Sequence, residues 1–178
     1  MATKWVLDPT HSEVNFKARH LVISTVSGKF RKFDGTVETA NENDFTSAKV
    51  DFTIDVASVD TNQEPRDEHL RSADFFDAGN YPTITFKSTS FEKGDDEDNE
   101  FVLIGDLTIR GITESIKLDV EFGGTTTDAY GNFKAGFEVS GKVSRKEFGL
   151  NWNAITEAGS VVVGDSIKFQ ISVQFIRQ

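Results

Sequence analysis

Apolar side chains recur at every second position in run after run of this chain, and many of them are phenylalanine. Ala48, Val50, Phe52, Ile54 and Val56 share one face of an extended segment, with Lys49, Asp51, Thr53 and Asp55 on the other, because successive side chains of a strand point to opposite sides. The same pattern covers Ile116, Leu118, Val120 and Phe122, then Phe133, Ala135, Phe137 and Val139, then Ile167, Phe169, Ile171, Val173 and Phe175. One dry face and one wet face is the signature of an antiparallel sheet. A long sheet of this kind covers its apolar face by rolling up, and a rolled sheet can enclose a ligand.

The pattern predicts an all-β chain with eight strands near 12–20, 33–39, 47–57, 83–91, 101–110, 115–123, 133–143 and 166–176, each bounded by Gly, Asn, Asp or Pro. Turns are expected at Asn41–Asp44 and at Tyr130-Gly131-Asn132. With 178 residues the chain is read as a single domain over 1–178. Its 16 Phe predict an interior rich in aromatic rings.

A net charge of −10 repels a phosphate backbone or an anionic membrane, so nucleic acid is not expected as a partner. With no Cys, neither a disulfide framework nor a zinc–thiolate site can form. No apolar run reaches the length of a membrane span, and Met1-Ala2-Thr3-Lys4-Trp5 lacks the regions of a signal peptide. The expected location is the cytoplasm, or the periplasm or exterior if a signal has been removed. Gly94-Asp95-Asp96-Glu97-Asp98-Asn99-Glu100 reads as a solvated loop tip, since its like charges repel and the spacing of a calcium loop is missing. No metal site is expected.

One segment breaks the alternation. Between Thr61 and Ala78 the pattern is irregular, and a short helical stretch is expected near residues 64–78, with Ser72 capping a turn that carries Asp74, Phe75 and Phe76. Two adjacent bulky rings there would plug one end of a rolled sheet, or line its opening.

This segment reads Arg66-Asp67-Glu68-His69-Leu70-Arg71-Ser72-Ala73-Asp74-Phe75-Phe76-Asp77, followed by Tyr81-Pro82-Thr83-Ile84-Thr85-Phe86. Elsewhere in the chain stand Trp5 to Leu7, Asp8-Pro9-Thr10-His11-Ser12, Val14, Phe16, His20 and Gly28-Lys29-Phe30 before this segment, and Leu107 to Thr113, Phe148-Gly149-Leu150 and Val163-Gly164-Asp165 after it. In this order they resemble the YceI-like, polyisoprenoid-binding family over nearly the whole chain. The resemblance implies an eight-stranded antiparallel β-barrel, lipocalin-like in shape, whose apolar tunnel holds an isoprenoid lipid such as a quinone or a polyprenyl phosphate. No cofactor is required for such a role. Nothing in the strand pattern demands a partner, and the chain is expected to be a monomer or a dimer.

Burying a hydrocarbon tail contributes about 0.8 kcal/mol per CH₂, so the tunnel needs inward apolar side chains and unfilled volume rather than a reactive group. The expected lining is Val14, Phe16, Phe52, Ile54, Phe75, Phe76, Ile84, Phe86, Leu118, Val120, Phe137, Val139, Phe169 and Ile171. The polar head is expected at the mouth, near His20, Arg66, Asp67 and His69, which can hydrogen-bond a quinone oxygen or, for the cations, a phosphate. The acidic net charge favours a neutral head over a diphosphate. No catalytic residue is expected: His11, His20 and His69 lack metal-ligand spacing, and no Gly-x-Ser-x-Gly elbow, phosphate loop or dinucleotide fingerprint is present. The competing readings are an enzyme that processes the lipid with His20 or His69 as acid or base, and a structural barrel filled by its own Phe side chains.

Overall fold

The alternating segments pair with their neighbours in sequence, and the last returns to the first. In the computed structural model, residues 2–20, 23–94, 99–150 and 163–178 are described, with the side chains of His20 and Val163 excepted. The strands are β1 (Thr3–Leu7), β2 (Glu13–His20), β3 (Ser24–Phe30), β4 (Phe33–Thr39), β5 (Lys49–Asp55), β6 (Val59–Asp60), β7 (Thr83–Lys93), β8 (Glu100–Ile109), β9 (Ile112–Thr127), β10 (Phe133–Ser144) and β11 (Val163–Arg177). A helix, α1 (Glu64–Arg71), lies between β6 and β7.

Three staves of the barrel are broken. β1 and β2 follow each other along β11, with Leu7 opposite Phe175 and Val14 opposite Ile171. β4 and β3 pair with β1 and β2 in turn, and β5 and β6 pair with β4 and β3. With β7 to β11 completing the circuit, the eleven strands make a closed eight-stranded antiparallel barrel. Closure leaves no long unpaired edge.

The expected strands are present, and β1, β3 and β6 are additional. β1 and β6 are too short to show a period. β3 carries Gly28 where an inward side chain would stand, and a Cβ there would lie 2.5 Å from the Phe16 ring. The inner face of β3 is thin because its neighbour fills the space. At 41–44, Asn41 and Asp44 form a bridge and Asn41 accepts from the Asn43 backbone. Gly131 has φ 83° in the β9–β10 turn. Arg110 and Gly111, with φ of 51° and 73°, close the β8–β9 hairpin between paired Ile109 and Ile112, as a two-residue turn of this hand requires. Of the acidic loop, Asp95 to Asp98 lie outside the described residues.

The helical expectation needs one correction. The helix precedes Ser72 rather than following it: Pro65 sits in its first turn, where the missing N–H costs nothing, and Ser72 is its C-cap, donating through its hydroxyl and N–H to the His69 carbonyl. Phe75 and Phe76 lie in the turns beyond. Arg71 ties α1 back to the barrel through the carbonyls of Ala57 and Val59.

At the break between β1 and β2, Asp8 is pinned from several directions. It accepts from the Thr10 hydroxyl and N–H, pairs with His11 Nδ1 at 2.8 Å and with Lys134 Nζ at 2.6 Å. The Ser12 hydroxyl donates to the Asp8 carbonyl and accepts from the Gln174 N–H, which binds the break to β11. Burial tends to raise the Asp8 carboxyl, but the hydrogen bonds from Lys134, Thr10 and His11 outweigh it and hold the group well below its ordinary 3.8. The Asp8-Pro9-Thr10-His11-Ser12 motif is thus a latch on the wall.

A carboxyl depressed in the folded state stabilises the fold fully above its unfolded value, and that contribution is lost as pH falls through the folded value. Asp8→Asn leaves the buried Lys134 ammonium without this partner, at an expected cost of about 3 kcal/mol at neutral pH. Thermal melts of wild type and Asp8→Asn are expected to be furthest apart near pH 7 and to converge as pH drops from about 4 toward 2. A gap independent of pH would contradict the latch.

Candidate functional site

The inner faces of the strands enclose a cavity of about 400 Å³, within the range of ligand pockets. Every apolar position expected to line it does so: Val14 and Phe16 of β2, Phe52 and Ile54 of β5, Ile84 and Phe86 of β7, Leu118 and Val120 of β9, Phe137 and Val139 of β10, Phe169 and Ile171 of β11. Phe75 and Phe76 reach it from beyond α1. Several inward side chains, among them Phe16, Phe52, Ile54, Ile116, Val143 and Phe169, keep part of their surface accessible although they face the interior. Their own neighbours do not fill the space, which distinguishes this interior from a close-packed core.

One end is sealed by aromatic rings. Phe45 forms part of the cavity wall and packs on Phe122 and Phe137 at 5.0 and 5.3 Å. Beneath it Trp5, with no exposed surface, lies 5.2 Å from Phe45 and 5.9 Å from Phe133, and its indole N–H donates to the Thr39 hydroxyl at 3.0 Å. Offset and tilted geometries at these separations are the favourable ones for ring pairs.

The polar lining gathers at the other end, where α1 and the segment after it approach β3. Phe76 meets Phe30 there at 5.9 Å. Arg66 and His69 of α1 line the cavity, whereas Asp67 does not. The buried Asp67 carboxylate accepts from the Thr61 N–H at 2.9 Å and from its hydroxyl. Thr61 in turn accepts from Arg66, Oγ1 taking Nε–H and the carbonyl taking Nη2–H, both at 2.7 Å. His69 Nε2 is 2.9 Å from the Asp74 carboxylate, and its ring stands edge-on to Phe75 at 5.0 Å. The side chain of His20 is not among those described.

Sequence reasoning missed part of the wall. Leu103, Leu107 and Ile109 of β8 line the cavity, and their alternation is as plain as that of the strands from which lining residues were chosen. Arg145, Phe148 and Leu150 also reach it, from a turn that carries no period. The buried Arg145 donates Nε–H to the Gly164 carbonyl at 2.9 Å and Nη1–H to that of Leu150. Burial pushes its guanidinium below the ordinary value, and Asp165 opposes that shift.

A wall this apolar, with polar groups confined to one end, suits an amphiphile with its tail inward. No group of three or more potential metal ligands occurs among the described residues.

Known proteins resemble this chain in sequence and in architecture. The chain is 40% identical over 174 residues to a UPF0312 protein of Staphylococcus epidermidis, with 97% of each covered. The crystal structure of BcnA from Burkholderia cenocepacia superimposes with a TM-score of 0.80 at 22% identity, covering 94% of this chain and 98% of that one. A polyisoprenoid-binding domain from Saccharophagus degradans, implicated in plant cell wall breakdown, gives a TM-score of 0.69 at 16% identity, with 98% of each chain covered. At these identities the two structures speak to the fold alone. The model of the YceI-like domain matches residues 5–175, and the chain belongs to that family.

Proposed function

We propose that this protein binds a long-chain isoprenoid lipid, a prenylated quinone or a polyprenyl phosphate, in the barrel cavity, and acts as a carrier or store rather than as an enzyme. The observation that carries this reading is the unfilled apolar cavity with its polar groups at one end. A dry apolar void takes up hydrocarbon, and each buried CH₂ contributes about 0.8 kcal/mol. The Saccharophagus domain of the same fold, named for polyisoprenoid binding, supports the choice of tail. The proposed contacts are the inward apolar residues of the wall, with Arg66 and His69 toward the head. His20 belongs to the same proposal on family resemblance. Asp67 acts behind them, by holding Thr61.

Gentle mass spectrometry of the intact protein, paired with organic extraction of the same sample, tests this. The expected result is a copurifying lipid whose mass carries isoprene-unit spacing. Extraction of straight-chain lipids alone would overturn the isoprenoid assignment. His69→Ala is expected to leave the extracted lipid chemically unchanged, whereas an enzyme using His69 as acid or base would accumulate unprocessed lipid in that variant.

A further inference from the structure

The charge of the cavity wall is opposite to that of the molecule. The chain carries a net −10, yet the titratable side chains along the cavity are Arg19, Arg66, His69 and Arg145, and no Asp or Glu among the described residues lines it. Arg66 stands out among them. A guanidinium offers five N–H groups in a fixed fork, and Arg66 spends two of them on Thr61. Both acceptors are neutral oxygens.

The nearby carboxylates are turned elsewhere. Asp67 is committed to the Thr61 N–H and hydroxyl, and Asp74 to His69. Thr61 is itself buried and clamped by Asp67, so the Arg66 fork is held in place before a ligand arrives. Among the described residues Nη1 has no hydrogen-bond acceptor and no buried side-chain nitrogen is left without one, so Nη1 is accessible. This is a preorganised cation at the polar end of an apolar cavity: Thr61 takes the Nε–Nη2 edge, and the end-on edge, Nη1 with the second Nη2 proton, is left for a ligand.

We propose that the head group is anionic, a phosphate or a carboxylate, and that Arg66 receives it. The inference rests on the reading of the cavity as the isoprenoid site, and it departs from the neutral head that net charge alone favours. Surface charge governs approach over a Debye length, about 8 Å at physiological salt, whereas the head meets Arg66 directly. A charge-assisted bidentate hydrogen bond is the stronger of the two influences at that distance.

Ligands with one tail and three heads test this: farnesyl monophosphate, farnesoic acid and farnesol, each titrated into delipidated protein at low salt. The anions are expected to bind at least about tenfold tighter than farnesol. Arg66→Gln is expected to abolish that preference by weakening the two anions at least about tenfold, and Arg66→Lys to retain most of it. Melting temperatures close to that of the wild type show that the variants are folded. Equal binding of all three by the wild type, or a preference that survives Arg66→Gln, would overturn the anionic head and leave the isoprenoid reading standing. Failure of all three to bind would overturn both.

Discussion

Replacing Ile116 by Trp is expected to weaken isoprenoid binding about 100-fold, equivalent to about 2.7 kcal/mol, without lowering the melting temperature. Ile116 lies on the inner face of β9, opposite Gly105 of β8, and keeps accessible surface although it points into the barrel. A larger ring there occupies space that the ligand needs. Overpacking a filled core costs typically about 1–3 kcal/mol of stability, but filling a void restores lost dispersion contacts. The two readings of the interior therefore predict opposite signs. A barrel already filled by its own side chains would be destabilised by Ile116→Trp, and its ligand affinity would not depend on the change.

The largest stability effect is expected at the sealed end. Trp5→Ala removes a side chain with no exposed surface, its ring contacts with Phe45 and Phe133, and the hydrogen bond to the buried Thr39. The expected loss is about 3–5 kcal/mol, which for a chain of this length lowers the melting temperature by roughly 10 °C. Phe45, which Trp5 supports from below, forms part of the cavity wall. Ligand binding by the folded fraction of Trp5→Ala is therefore also expected to weaken. A melting temperature within about 2 °C of wild type would mean that Phe45 and Phe133 collapse into the gap, since the cost of a cavity depends on how well its site can close.

Much of this architecture is legible in the sequence, because a half-buried strand writes its two faces as a period of two. Phe52 and Ile54, or Phe169 and Ile171, have no other face to occupy once Asp51, Lys168 and Gln170 are placed in water. What escapes that reading is structure with no period. β3 carries a glycine at an inward position because the Phe16 ring already stands there, so only Val26 and Phe30 mark its inner face and the period is too thin to read. The helix falls within the stretch expected for it, but Ser72 closes it rather than opening it, because a serine two residues before an acidic one resembles an N-cap. The decisive signal was Pro65, which suits the first turn of a helix and fits poorly further along.

The polar end shows a different limit. Arg66, Asp67 and His69 are adjacent in sequence and were read together, but neighbours on a helix point in different directions. Folding sends Arg66 and His69 toward the cavity and Asp67 toward Thr61. Arg145 joins the wall from a turn 79 residues further along the chain than Arg66, through contacts with the carbonyls of Leu150 and Gly164. Net charge is a sum over residues, and the local sign of a cavity depends on which of them the fold turns inward.

If the barrel interior is an isoprenoid-sized void rather than a packed core, uptake as a function of tail length shows it most directly. Delipidated protein titrated with ligands of one head group and one to eight isoprene units, followed by native mass spectrometry, should give a one-to-one complex. Its affinity should rise with each added unit until the cavity is full and then level off. Affinity that is flat across tail lengths, or the absence of any complex, would contradict the account.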